Sequence, residues 1–265
     1  MVEIFDNIKK RYQFIAPCTE LSAYIEYFWE SSFAGNPDKS FNIKLFPSLT
    51  PTFSINLGAP YKLITGKDRH EEIITGDILS LRSTITEYRY VSGSHKFGVK
   101  FLPGGLFAVL GINQTVFTSN TFSLQKLLPP TLISTIKTQH SFNERVSVLQ
   151  DYLFVQYQKR NKKDYNFLFT QKVIELYGFG NMEFKNNEIA SQLFTTTKTI
   201  NRYFNKVIGD NSKNYLFLIR ARTALTAYVN NKQAFSPLNF GYYDMSHFYK
   251  DVVKFTGNKL IDHPS

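Results

Sequence analysis

Residues 186–257 pattern as two short helix pairs joined by one long amphipathic stretch, and this spacing constrains the fold more than anything else in the chain. Ile189, Ala190 and Leu193 recur at helical spacing, and Ala190 is small enough for a second helix to cross closely. The polar run Thr195-Thr196 breaks the pattern. A new helix is expected from Thr197, with Ile200, Phe204, Val207 and Ile208 on one face and Lys198, Asn201, Arg202 and Asn205 on the other. Over two turns that outer face carries hydrogen-bond donors and no carboxylate, whereas a merely solvated face usually mixes acids with bases. Two helices across a tight turn, the second with a bare cationic and amide face, suit entry into the major groove of DNA. Gly209 stands just past the last apolar turn, where a helix-ending glycine belongs.

Residues 214–229 then read as a long helix, with Leu218, Ala221, Leu225 and Tyr228 on one stripe and Arg220 and Arg222 off it. A second cluster follows, Phe-Gly-Tyr-Tyr-Asp-Met-Ser-His-Phe from Phe240 to Phe248, and the pair Thr256-Gly257 closes it. The ordered set resembles the DNA-binding module of the AraC/XylS family of bacterial transcription regulators. The first-unit pattern falls on Ile189-Ala190, Leu193, Ile200, Arg202, Phe204 and Gly209, and the linker helix on Arg220 and Ala224. The second unit falls on Gly241, Tyr242, Asp244, Ser246, His247 and Phe248, followed by Thr256-Gly257. The likeness spans roughly the last hundred residues.

The resemblance implies an all-α module of two helix-turn-helix units joined by a long helix, with double-stranded DNA as partner. Lys198, Asn201 and Arg202, with Asn205 on the same face, would meet base edges, Arg and Asn pairing with guanine and adenine. Thr196, Thr197 and Lys213 would position the module on phosphates. Ser246, His247 and Lys250 would face the duplex from the second unit, with Asp244 serving mainly as a helix cap. Arg202 has a second reading, as a brace against a neighbouring acid. Three departures stand out. Phe194 occupies a turn where the family often has Gly, so no cheap positive φ is available there. Pro237 confines the second unit's first helix to little more than one turn, with Ser236 as cap. Val252-Val253 and Lys259-Leu260 replace the usual residues, which keeps open a reading in which this is a ligand-sensing or protein-interaction module with a decayed DNA unit.

With 265 residues the chain suits two domains, each able to bury a core. A net charge of +10 favours a polyanionic partner without locating it. Twelve Lys and Arg stand against eight Asp and Glu from Asp164 onward, and nineteen against thirteen before it. The lone Cys18 excludes an internal disulfide framework and reads as a packed small side chain. No stretch approaches the roughly 20 apolar residues of a membrane helix, and the first residues lack the layout of a signal peptide. A soluble cytoplasmic protein is the expectation, with no membrane partner.

Between Phe41 and Pro103 the pattern turns to alternation: Phe53, Ile55 and Leu57; Tyr88 and Tyr90; Phe97, Val99 and Phe101, the last set interleaved with Lys96, Gly98 and Lys100. Turn signals at Gly58-Ala-Pro60, Gly66-Lys-Asp68, Gly76-Asp77 and Ser92-Gly93-Ser94 punctuate it. These features predict a small antiparallel β-sandwich or barrel with one buried face. Leu21, Tyr24, Ile25 and Phe28 predict a short helix before Trp29, and Pro103-Gly104-Gly105 opens another through Leu110. Residues 97–105 look like a strand-to-helix turn of some AraC-like sensory domains. That likeness implies a cupin-like domain that binds a small-molecule effector and dimerises.

Catalysis finds no footing. His70, beside Glu71 and Glu72, reads as part of a solvated loop; His95 is distant, and no metal set converges. Gly104-Gly105 lacks the context of a phosphate loop. The aromatics Phe53, Tyr88 and Phe101 read as core. No cofactor is expected, and no enzyme. Residues 124–157 read as helical, and the stripe Val146, Leu149, Leu153 and Tyr157 either packs on the β domain or pairs with a second copy as a homodimer. Lys159, Arg160, Lys162 and Lys163 form a basic run that is a linker or an extra phosphate contact. The fold class expected is α+β: a sensory β domain with flanking helices over 1–130, a helical connector over 131–163 and the double helix-turn-helix module over 164–265.

Overall fold

The computed structural model describes residues 12–33, 40–66, 69–117, 121–160, 164–180 and 182–257. Among the described residues ten strands come first: β1 (Tyr12–Ile15), β2 (Ile25–Phe33), β3 (Phe41–Leu45), β4 (Thr52–Asn56), β5 (Tyr61–Thr65), β6 (His70–Ile74), β7 (Ile78–Ser80), β8 (Thr86–Tyr90), β9 (Ser94–Phe101) and, after helix α1 (Gly105–Leu110), β10 (Thr121–Ser123). They form two antiparallel sheets, in the orders β1-β2-β9-β4-β7-β10 and β3-β8-β5-β6. Helices α2 (Pro130–Thr138) and α3 (Phe142–Arg160) cover the outer face of the six-stranded sheet. The C-terminal part is helical: α4 (Tyr165–Phe179), α5 (Asn186–Gln192), α6 (Thr197–Ile208), α7 (Ser212–Asn230), a single 3₁₀ turn at Pro237–Phe240, and α8 (Met245–Thr256). The class is α+β, an N-terminal antiparallel β-sandwich followed by an all-α region, as the patterning predicts.

Three expectations are corrected. The helix placed before Trp29 is strand β2, which pairs with β9 from Ile25↔Phe101 to Phe33↔Ser94. An irregularity between Ile25 and Tyr27 shifts the alternation, so Ile25 and Phe28 share one buried face three residues apart and imitate helical spacing. The segment holding His70 is edge strand β6 rather than a loop, although its first four residues are exposed as expected. The largest difference lies in β9. Phe97, Val99 and Phe101 do face an apolar core, but Lys96 and Lys100 are only 2 % exposed. Their face of the sheet looks at the second sheet instead of at water, so the six-stranded sheet is buried on both sides. Alternation identified the pleat and misassigned what covers its polar side.

Four apolar clusters organise the described residues. Phe53, Ile55, Phe97, Val99 and Phe101 pack with Ile133, Ile136, Val146, Leu149 and Leu153, so the α3 stripe is spent on the chain's own β-sheet. Tyr24 and Tyr157 join across this interface, their hydroxyls 3.1 Å apart, and burial pushes the Tyr24 phenol up to about 12. Tyr61, Tyr88 and Tyr90 lie in a cluster of the second sheet. The remaining two clusters belong to the helical region, and each recruits the front part: Leu49 and Phe107 in one, Phe46 in the other.

Candidate nucleic-acid interface

The first helix pair is built from α5 and α6. Glu188 caps α5 by accepting the Lys185 N–H at 2.7 Å, and Ile189 and Ala190 are buried where α6 crosses. Phe194 takes the turn with φ 49 and is 99 % exposed. The turn therefore forms in the left-handed region without glycine, at the cost of about 1 kcal/mol or more that a non-Gly residue incurs there. Thr196 opens α6, its hydroxyl accepting the Thr199 N–H at 3.1 Å, and Gly209 ends it at φ 87. Ile200, Phe204, Val207 and Ile208 are fully buried, the face the spacing predicts.

The outer face divides. Thr197, Lys198, Arg202 and Asn205 are exposed. The Arg202 guanidinium lies over the Tyr203 ring at 4.9 Å and donates to its hydroxyl at 3.2 Å, so tyrosine, not an acid, steadies it. Tyr203 is itself held edge-on by Tyr165 and Phe169. Asn201 is committed differently: its Oδ1 accepts from the Ser212 N–H at 3.1 Å and the Ser212 hydroxyl at 2.8 Å, which fastens α6 to the start of α7. Lys213, one residue further on, is exposed beside that junction. Residue spacing could not foretell this brace, because Ser212 is eleven residues away and on another helix.

The second unit is slighter. Pro237 opens a 3₁₀ turn after Ser236, whose side chain makes no capping bond. Asp244 caps α8 by accepting the His247 N–H at 2.7 Å, the role expected of it. Ser246 and Lys250 are exposed, while the His247 ring is half-buried against Tyr242 and Tyr243. Arg220 of α7 donates to Asp251 of α8 at 2.7 Å and lies 4.6 Å over the Tyr242 ring, tying the unit to the linker helix. Burial pushes the Tyr242 phenol well above its ordinary value, although the same Arg220 pulls it down.

Both units dock on the front part. The Gln114 amide donates to the Val207 carbonyl at 2.6 Å near the end of α6, and the Gln171 amide donates to the Pro103 carbonyl at 2.8 Å. Gly104, with φ 76, sits so close to Val207 that an added Cβ would lie 2.7 Å from its methyl. Phe46 stacks on Phe255 of α8 at 5.6 Å. The basic run behaves in two ways among the described residues. Lys159 projects from the end of α3, but Arg160 turns inward, donating to the Ala108 carbonyl at 3.2 Å and resting over Phe107. Lys162 and Lys163 lie outside the described residues.

Residues 13–123 match a family model described as a domain of unknown function (DUF6597). No curated protein matches the chain in sequence. Among solved structures, the chain is similar to ToxT from Vibrio cholerae at 10 % identity, over 94 % of this chain and 96 % of that one, with a TM-score of 0.44. It is also similar to the AraC-like transcriptional activator CuxR at 12 % identity, over 83 % and 88 %, with a TM-score of 0.33. No described helix is long and apolar enough to cross a membrane, and the described residues hold no group of three metal-ligating side chains.

Proposed function

We propose that the chain is a sequence-specific, DNA-binding transcription regulator of the AraC type, working in the cytoplasm. The observation that supports it best is the outer face of α6, where Thr197, Lys198, Arg202 and Asn205 stand exposed while the opposite face is fully buried. In this reading α6 enters the major groove. Arg202 and Asn205 meet base edges, since their donors match guanine and adenine respectively. Lys198, exposed on the same face, reaches base edges with them, while Thr196, Thr197 and Lys213 lie toward phosphates, where they set register without reading sequence. Asn201 holds α6 against α7 through Ser212, so its part is to aim the helix. Ser246 and Lys250 of α8 contact the next groove segment, with His247 half-withdrawn between its tyrosines. The front part, with α2 and α3 completing its core up to the stretch near 161–163, is the regulatory domain, and 164–265 is the DNA module.

The second unit's single 3₁₀ turn, together with the Arg220–Asp251 pair, favours a backbone clamp over an equal reader. A mobility-shift assay of the full chain against genomic fragments, repeated at rising salt, tests the proposal. A discrete shift of particular fragments that survives excess competitor DNA is expected, with log affinity falling steeply as log salt rises. Retardation of every fragment alike, or of none at low salt, contradicts it.

A further inference from the structure

Helices α6 and α8 are built to the same plan, and one position of that plan is filled by opposite chemistry. Each runs 12 residues. Thr196 and Asp244 open them by accepting the backbone N–H three residues on, and Gly209 and Gly257 follow them in the left-handed region, at φ 87 and φ 72. The buried faces fall in step: Ile200, Phe204, Val207 and Ile208 in α6 answer to Phe248, Val252, Phe255 and Thr256 in α8. The outward residues are therefore paired too. Lys198 answers to Ser246, Asn201 to Tyr249, Arg202 to Lys250 and Asn205 to Val253. The pairing extends to what holds each face. Asn201 is committed to Ser212 of α7, and Tyr249 stands edge-on to Tyr228 of the same helix at 6.5 Å. A hydrogen bond between these two tyrosines pushes the Tyr249 phenol up.

Where α6 offers the amide of Asn205, α8 offers Val253, 40 % exposed. A lone exposed valine means little by itself; its place on a helix that follows the duplex gives it meaning. Neither Asp of this helix end is free to repel DNA, because Asp244 caps α8 and Asp251 is paired with Arg220. Exposed Lys250 and Lys254 flank Val253, so the surroundings suit a polyanion better than an apolar protein surface. We propose that Val253 reads a thymine through its C5-methyl group, in the segment of major groove that α8 enters. The inference deepens the DNA-binding reading above and rests on it. Adenine, guanine and cytosine present only donors and acceptors to the groove, and an aliphatic side chain pressed on them removes water without replacing its hydrogen bonds. Thymine alone offers an apolar group there. Asn205 and Val253 thus divide the work: one selects adenine by paired hydrogen bonds, the other selects thymine by shape. Lys250, a point charge where α6 has the Arg202 fork, holds the backbone beside it, so α8 is a clamp that carries one preference.

The test starts from the site that the full chain selects out of random DNA. Each thymine of that site is replaced in turn by deoxyuridine, which lacks only the methyl group, and affinity is measured by titration. At one thymine outside the part of the site that Arg202 governs, affinity should fall about fourfold, the factor for burying one methyl-sized group. Val253→Ala should bind thymine and deoxyuridine at that place equally. Val253→Thr, which keeps one methyl and the branched shape, should retain most of the contrast. Both changes lie on the exposed side of α8, away from its buried face. A site in which no thymine responds to deoxyuridine, or a loss that persists in Val253→Ala, overturns the inference and leaves sequence-specific binding in place. Failure to select any site overturns the DNA-binding reading, and this inference with it.

Discussion

The two helix-turn-helix units solve one problem with unequal means. In the first, two true helices cross over buried Ile189, Ala190, Phe204 and Val207, and α6 leaves Lys198, Arg202 and Asn205 of its donor face exposed while Asn201 is held by Ser212. In the second, Pro237 allows only a 3₁₀ turn before α8, and an aromatic cluster of Phe235, Phe240, Tyr242 and Phe248 supplies the packing that a helix would have given. Polar contacts differ in the same sense. Arg202 is held by a neutral phenol, whereas Arg220 is matched by the carboxylate of Asp251. A unit that reads bases needs uncommitted donors, and one that clamps a backbone needs mainly shape and a cap. Each unit also rests on the front part at a separate point, Gln114 for the first and Phe46 for the second, so the relative aim of the two helices passes through the β-sandwich.

The comparison can be broken at several levels. Phe204→Ala should cost about 3–5 kcal/mol of stability, since a fully buried ring is lost from a packed site; urea unfolding measures it, and a loss under 1 kcal/mol would mean that the first unit is not anchored as described. Arg202→Ala should weaken binding by about 1–3 kcal/mol at one base position, while Lys250→Ala should weaken all sequences evenly. An equal and sequence-independent loss for both variants would erase the distinction between reader and clamp. Thr196→Ala and Asp244→Ala remove one cap each and should cost about 1 kcal/mol apiece, visible as lower thermal midpoints. The smallest effect is expected from Lys213→Ala, which should reduce the salt slope of binding by about 1 and leave sequence preference intact.

Much of the helical module was legible in the sequence because its signals are local. The α6 stripe, Gly209 as terminator and Asp244 as cap depend on residues within a few turns of one another. Phe194 shows the limit of such rules: the turn adopts φ 49 without glycine, with the ring wholly in solvent, and the packing of the two helices carries the cost of that backbone. Strand β2 was misread because a bulge gave Ile25 and Phe28 helical spacing. Lys96 and Lys100 were misread because alternation reports which residues share a face, not what stands opposite. Asn201 looked identical to its neighbours on the helix wheel, and only the arrival of Ser212 from α7 separates it from them. Each miss comes from a partner distant in sequence, the information that spacing lacks.

The central claim is that α6 reads bases through Arg202. Selection of bound sequences from a random DNA pool, run in parallel with the natural chain and with Arg202→Ala, tests it most directly. A defined motif for the natural chain, with preference lost at one position in the variant, is the predicted result. An identical motif from both chains, or no enrichment by either, contradicts it.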